Sequence, residues 1–538
     1  MIQKHIAKLS DVGFQLKVMT DTGILAPIRP DRLARMLVTF GRQGTSPATA
    51  IAVAAIRHPN ETFISDEAGD LTFSEVHIRT NSLANALKKL GVGEKDRIGI
   101  MCRNHRGFIE TMLAASKLGA TSLFLNTMFS GPQLADVVER EEPKVLIYDE
   151  EFEGLLSDVD PDLTRVVAWH DTASERPNLE RLIKTTADRS ISAPSSRGRF
   201  IILTSGTTGT PKGAQRESPK GLSGIAGLLD KIPHRTGETV VLSAPLFHSW
   251  GFINSILAMT VGAKLVLDRK FNPELAMSRI KQHAADVFVA VPIMVQRILE
   301  LPEETRNRLT PADLKITALS GSALAGGLAT AWMDCFGDNL YNLYGSTEVA
   351  FASIATPADL RIDPSTAGRP PHGTEMRLID DNDRDVESGE TGRIFIRNGM
   401  TFEGYTGGGT KSNLDGYVSS GDVGHVDELG LLYIDGRDDD MIVSGGENVF
   451  PAEVEDLLAS HQDVLEVAVV GQDDEDYGQS LVAYIAKVPH SDLSEEELRS
   501  FVKANLASFK TPKRFIFRDT LPRNGMGKIV KRDLVSAS

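Results

Sequence analysis

The chain has 538 residues, 41% hydrophobic and 24% charged, with 58 Lys+Arg against 73 Asp+Glu for a net charge of −15. That length exceeds a single core and predicts two or more domains, while an acidic chain without a long basic run excludes sequence-independent nucleic-acid binding. Two cysteines, Cys102 and Cys335, lie far apart and outside any Cys-x-x-Cys pair, which excludes a disulfide framework or zinc site and fits a reducing compartment.

The segment Met1 to Lys8 is broken by polar residues and lacks the apolar core of a signal peptide. No stretch approaches the roughly 18 apolar residues of a spanning helix, so the expected location is cytoplasmic. Residues 1–45 form an extension whose role the sequence leaves open. Within it Leu33, Met36, Leu37 and Phe40 fall on one helical face, flanked by Arg32, Arg35 and Arg42. Such a face either docks on the domain beside it or lies on an anionic membrane surface, and residues 29–42 are a candidate peripheral membrane contact.

From about residue 50, helical and strand patterns alternate. Asn81 to Leu90 reads as a helix ended by Gly91, 97–101 as a strand, 107–118 as a helix, and 121–125 and 144–148 as strands. The pattern recurs at 239–243, 263–267 and 286–291, as expected of an α/β domain with largely parallel strands. Around residue 365 glycine-rich turns and alternating strands such as 392–397 predict a small β-rich subdomain. Beyond Arg437 the chain is compact α+β: helices at 451–460 and 494–506, strands at 467–470 and 481–486. These readings give an N-terminal domain over 1–437 and a C-terminal domain over 438–538.

Behind the apolar strand end Phe200 to Leu203 runs Thr204-Ser205-Gly206-Thr207-Thr208-Gly209-Thr210-Pro211-Lys212-Gly213. Glycines bring backbone N–H groups close to an anion, hydroxyls add donors, and the lysine adds a point charge. This equipment grips a polyphosphate, although no Walker A pattern fits it. Four further segments narrow the chemistry: Tyr344-Gly345-Ser346-Thr347-Glu348; Ser419-Ser420-Gly421-Asp422; Gly436 to Asn448; and Pro522-Arg523-Asn524-Gly525-Met526-Gly527-Lys528.

In this order the segments resemble the motifs of the adenylate-forming superfamily, which includes acyl-CoA synthetases, peptide-synthetase adenylation domains and luciferase-like enzymes. The resemblance covers roughly residues 50–535 and is strongest to bacterial fatty-acyl-CoA synthetases. It implies a large α/β domain with a β-rich subdomain and a small mobile α+β C-terminal domain. It also implies a two-step reaction: a carboxylate attacks the α-phosphate of ATP to give acyl-AMP and pyrophosphate, then the thiol of coenzyme A displaces AMP. Small-molecule acid, ATP and coenzyme A are the implied partners; a homodimer is compatible with the sequence, which does not set the oligomeric state.

By the same resemblance Thr204, Ser205, Gly206, Thr207, Thr208 and Lys212 hold the β- and γ-phosphates, Thr347 the α-phosphate, and Glu348 the Mg2+. Tyr344 stacks on adenine, Asn342 bonds its amino group, and the backbone at Gly321, Ser322, Ala323 and Gly345 lines the nucleotide or acyl site. Asp422 accepts from the ribose hydroxyls with Arg437 nearby, and Lys528 is the cation of the first step. Asp439 occupies the hinge position, and Ser444, Gly445 and Gly446 line the coenzyme A tunnel after rotation. His248, Trp250 and Gly251 border the acyl pocket, with His248 and Thr204 among the catalytic candidates.

Apolar residues between the motifs, such as Phe252, Ile253, Ile256 and Met259, and the absence of an extra charge for an amino group predict a fatty acid of medium or long chain, with aryl or other apolar acids second. One departure from the family pattern is the glycine-rich Gly404-Tyr405-Thr406-Gly407-Gly408-Gly409 with a short stretch after it. Carrier-protein-loading ligases tend to have an insertion in this subdomain, and its absence here favours free coenzyme A as acceptor.

Overall fold

The computed structural model describes residues 2–171, 176–204, 212–216, 223–406, 408–438, 442–444, 447–474, 478–507, 510–524 and 527–535. Among them the strands form four sheets. The first, of eight strands, runs 353–355, 340–344, 316–319, 287–290, 239–242, 264–267, 62–66 and 69–72, parallel except at its two edges. The second, of seven strands, runs 404–405, 212–216, 200–204, 121–124, 97–101, 145–149 and 164–169. A third sheet, antiparallel, is built from 375–379, 392–397, 413–414, 417–426 and 432–437, and a fourth from strands between 442 and 518.

Buried strands without polar alternation, such as Val287–Ala290 and Ile316–Leu319, carry helices on their faces, as parallel sheets require. One continuous apolar core joins the two large sheets, with Phe63, Phe108, Phe124, Phe288 and Trp332 fully buried in it. The expected helix at 81–90 begins earlier, at Phe73, because Thr72 and Glu75 form a capping box. The expected strands at 467–470 and 481–486 extend to Val464–Asp474 and Gly478–Lys487, since pairing with each other carries both past their apolar runs. Gly404 and Tyr405 do not join the β-rich sheet; they pair with Gln215 and Ala214 beside the strand that follows the phosphate loop.

The N-terminal extension folds as helix α1 (Ile2–Asp21) and helix α2 (Pro30–Gln43), followed by α3 (Pro47–Arg57). The Arg57 guanidinium donates to Ile24 O (2.5 Å) and Gly23 O (3.0 Å), fixing the turn between α1 and α2. Among the described residues no helix is long and apolar enough to cross a membrane.

Asn104 Nδ2 donates to Ala244 O (2.9 Å), and Leu246 N–H donates to Asn104 Oδ1 (2.9 Å), so one buried amide clamps the two large sheets together just ahead of His248. The helix Ser249–Val261 then starts against this clamped backbone. A Cβ on Gly251 would overlap Pro245 O and lie 2.6 Å from Ala244 O. Gly251→Ala is therefore expected to destabilise the fold by about 1–3 kcal/mol, the usual range for forced overpacking. A shift of the urea midpoint at unchanged slope would register it, and an unshifted midpoint would contradict it.

Candidate functional site

The carboxyl ends of parallel strands leave a crevice where loops diverge, and ligands of α/β folds bind there. The two large sheets open onto one cavity of about 1150 Å3. Ser320 and Gly321 enter it after strand 316–319, Gly345 to Glu348 after strand 340–344, Leu203 from the end of strand 200–204, and His248 and Ser249 after strand 239–242.

At the polar end Lys212, Lys411, Arg437 and Lys528 line the cavity, and Glu348 is the one acidic residue among the described lining residues. A chain of net charge −15 thus concentrates cations at this end. Glu348 is held from two sides: Phe402 N–H donates to its carbonyl (2.8 Å) and Tyr405 OH donates to its Oε1 (2.6 Å). Ser346 Oγ accepts from Glu348 N–H (3.2 Å) and so shapes the turn that presents it. Lys212 Nζ lies 5.5 Å from the centre of the Tyr405 ring, a cation–π distance. Tyr405 therefore connects the lysine of the phosphate loop to the carboxylate, and burial followed by the Glu348 bond pushes its hydroxyl pKa up.

A second network lies under Tyr344. Its hydroxyl donates to Asp422 Oδ2 (2.5 Å), and Arg437 Nη1 stands 3.8 Å from Asp422 Oδ1. Burial raises the Asp422 pKa, opposed by the Tyr344 bond and the charges of Arg437, Lys528 and Lys411. Lys528 thus feels Asp422 although more than a hundred residues separate them. Its loop is fixed locally: Lys528 N–H donates to Asn524 Oδ1 (3.0 Å) and Asn524 N–H to Lys528 O (2.8 Å). Gly527, at φ +75°, packs so tightly on Ile293 that any Cβ would overlap that side chain. This contact seats the C-terminal loop on the helix Pro292–Leu299 and brings Lys528 into the cavity.

Among the buried polar atoms that have no hydrogen-bond partner among the described residues are His248 Nε2, Ser249 Oγ and Asn342 Oδ1. A buried unpaired acceptor or donor costs on the order of 1–3 kcal/mol, so each is a place where a ligand atom would be stabilising. Burial lowers the His248 pKa to about 4, which keeps the imidazole neutral at pH 7. His248 lines the cavity, whereas Asn342 sits on strand 340–344 just behind it.

Other expected residues divide. Thr347 and Trp250 line the cavity, and the Trp250 indole N–H donates to Ala290 O (3.0 Å), which fixes the ring. Gly251 packs on backbone behind the wall, and Ser322 and Ala323 lie outside the lining that Gly321 joins. Thr204 pairs through its backbone with Lys212. Ser205, Gly206, Thr207, Thr208, Asp439, Gly445 and Gly446 lie outside the described residues, and Ser444 is described only as part of strand 442–444. Sequence reasoning missed Tyr405, Lys411 and Ser320 as lining residues; only Tyr405 had a signal, standing in the stretch that departs from the family pattern.

The sequence model of the AMP-binding enzyme family matches residues 51–406, and that of the AMP-binding enzyme C-terminal domain matches 453–528. The chain belongs to the AMP-binding enzyme family. Among curated relatives, an indoleacetate–CoA ligase of Aromatoleum aromaticum is 30% identical over 489 residues, 88% of this chain and 95% of that protein. A fatty acid–[acyl-carrier-protein] ligase of Streptomyces coeruleorubidus, ScoC, is 28% identical over 496 residues, 89% of this chain and 94% of that protein. Among solved structures, the o-succinylbenzoate CoA synthetase MenE of Bacillus subtilis, in complex with its acyl-adenylate intermediate, superposes with a TM-score of 0.78 at 25% identity, covering 90% of this chain and 97% of that one. The mixed α/β architecture with a smaller C-terminal portion is that of the adenylate-forming enzymes.

The Tyr344–Asp422 bond offers a test of whether this network meets a bound nucleotide. Tyr344→Phe keeps the ring and removes the donor, and a hydrogen bond to a charged group is worth about 1.5–3 kcal/mol. AMP affinity measured by calorimetry is expected to fall at least about tenfold; unchanged affinity would separate this network from the nucleotide.

Proposed function

We propose that this protein is an AMP-forming acid–CoA ligase acting on an apolar carboxylic acid. The observation that carries the reading is the meeting, in one cavity, of Lys528 from the C-terminal portion, Thr347 and Glu348 from the large domain, and an apolar wall that includes Phe252, Ile253 and Ile256. In the first step the carboxylate oxygen attacks the α-phosphate, its bond forming as the bond to pyrophosphate breaks. Negative charge gathers on the α-phosphate oxygens, where Lys528 and Thr347 stabilise it. Lys212 and the loop that begins at Thr204, with Ser205, Gly206, Thr207 and Thr208, hold the departing β- and γ-phosphates. Asp422 takes the ribose hydroxyls, Tyr344 the face of adenine, and Asn342 Oδ1 its amino group.

A single carboxylate fits a Mg2+ that draws most of its oxygen ligands from phosphates and water rather than from a protein cage. Glu348, buried and oriented by Tyr405, would hold it, and its charge would offset that of the phosphates. Neutral His248, with Nε2 unpaired, donates to or accepts from the acid's carboxyl end without adding charge. In the second step residues 438–538 turn about Asp439, and Ser444, Gly445 and Gly446 line the path by which the coenzyme A thiol reaches the acyl carbon. The S–C bond forms as the thiol loses its proton to solvent, the acyl–phosphate C–O bond breaks, and AMP leaves.

Medium- and long-chain fatty acids are the first substrate class, supported by the apolar wall. Aryl acids are the second, supported by the 30% identity to the indoleacetate–CoA ligase. Transfer to a carrier protein is the reaction named for ScoC and remains an outcome of the test.

Acid-dependent exchange of labelled pyrophosphate into ATP is the expected result with an apolar acid, followed by thioester on addition of coenzyme A. Exchange without thioester would point to a carrier-protein acceptor, and no exchange with any acid to a binder without catalysis. Lys528→Ala is expected to lower exchange at least about a hundredfold, the scale of a lost transition-state contact, while thioester formation from supplied acyl-adenylate persists. Equal loss of both would overturn the assignment. The His248-dependent part of the exchange rate is expected to be flat from pH 8 to 6, because the imidazole gains its proton only near pH 4. An inflection near its ordinary pKa of about 6.5, absent in His248→Asn, would contradict a neutral histidine.

A further inference from the structure

The apolar face of α2 has an unusual setting. Leu33, Met36, Leu37 and Phe40 all line the cavity that holds Lys528 and Glu348, yet no residue of α2 is buried. A surface helix ordinarily earns its place by burying that face. Here the anchoring lies elsewhere, in polar bonds and in the packing of Phe14, Val18 and Ile24 on the main core. Arg32 Nη1 donates to Arg57 O (2.9 Å), and Arg57 in turn holds the Gly23 and Ile24 carbonyls. Thr236 N–H donates to Thr22 O (2.9 Å), and Asp11 accepts from Ser223 Oγ (3.1 Å) and pairs with His372 Nε2 (2.9 Å). The extension is thus tied to the large domain by hydrogen bonds and ion pairs, with Val18 and Thr22 of α1 and its following turn buried there. The apolar stripe of α2 is left facing cavity space.

The same cavity is lined by Phe252, Ile253 and Ile256 of the helix Ser249–Val261, whose first turn follows His248. One cavity is therefore lined by the cations of the phosphate end, by His248 and by α2. We propose that α2 is the distal wall of the acyl subsite. An apolar tail whose carboxylate sits at Lys528 lies between the Ser249–Val261 helix and α2 and ends against Leu33, Leu37 and Phe40, so these residues select tail length. This rests on the acid-activating reading above. The family's sequence model begins at residue 51, so the selecting wall lies outside the matched segment while the activating residues lie within it or the C-terminal match.

The contact makes a quantitative demand. Burying one methylene is worth about fourfold in an equilibrium or rate ratio, from about 0.8 kcal/mol. In a series of straight-chain saturated acids, kcat/KM for pyrophosphate exchange is expected to rise by about that factor for each methylene that reaches α2. Leu37 is 63% exposed, so Leu37→Asp disturbs little packing in the folded chain. It is expected to lower the long-to-short ratio of kcat/KM at least about tenfold by placing a charge where the tail ends. Leu33→Ala, a milder change, is expected to lower the same ratio a few-fold, the effect of about one or two lost methylene contacts. An unchanged ratio in both variants, or an equal fall for every acid, overturns the proposal. So does loss of binding to anionic phosphatidylglycerol vesicles in Leu37→Asp with the ratio intact, which would make α2 a membrane face. If the unaltered protein exchanges pyrophosphate with no acid at all, the acid-activating reading fails first and takes this wall with it; exchange that does not depend on tail length fails the wall alone.

Discussion

A chain with a net charge of −15 can hold a polyphosphate only where it gathers positive charge against its own average field. That requirement governs the rest of the site. Lys212, Lys411, Arg437 and Lys528 come from four separate stretches of sequence, and no two of them are close enough in the chain to form a basic run. The sheets supply the meeting place, because the loops at the carboxyl ends of their parallel strands diverge there. The packing of Gly527 on Ile293 then closes the site from the C-terminal side. A glycine at that position is needed twice over, for its positive φ and for the missing Cβ.

The polar groups in and behind the cavity wall fall into two physical kinds. Glu348, Tyr405, Tyr344 and Asp422 already have partners, so their orientation is set before a ligand arrives and little ordering entropy is lost on binding. His248 Nε2 and Asn342 Oδ1 are buried without partners among the described residues, a cost that a ligand atom can relieve. The apolar face of α2 is the hydrophobic counterpart of these unpaired atoms: held in place by Arg32, Arg57 and Asp11, it leaves its own contacts unmade. In each case the fold supports, through interactions elsewhere, a surface that is unfavourable until something occupies it.

Much of the architecture was legible because it rests on local periodicity. The strands at 97–101 and 392–397 fall where their apolar runs stand, and the helix expected at 107–118 starts one residue early at Arg106. The errors occur where a signal was polar or a partner distant. The capping box at Thr72 moved a helix start, and the place of Gly404 and Tyr405 was set by pairing with the distant Ala214 and Gln215. The family resemblance sets Gly251 at the border of the acyl pocket with His248 and Trp250, but its small size serves the backbone of Ala244 and Pro245. The stripe Leu33, Met36, Leu37 and Phe40 was visible as a face; that it looks into a cavity could not be seen, since periodicity identifies a face and not what lies opposite.

By itself the sequence determined the family and the α/β class, because both are written in short motifs and in local apolar patterns whose meaning needs no distant partner. It also supplied the inventory of charged and hydroxylic residues from which the site is assembled. Only the tertiary structure decided which of these share a cavity, that Tyr405 joins Lys212 to Glu348, and that Tyr344 reaches Asp422. Those relations depend on strand order and on the seating of one loop against Ile293, and they link residues dozens to hundreds of positions apart. Hydrogen bonds and ion pairs act over a few ångströms of space, and the number of residues between two positions carries no record of that distance.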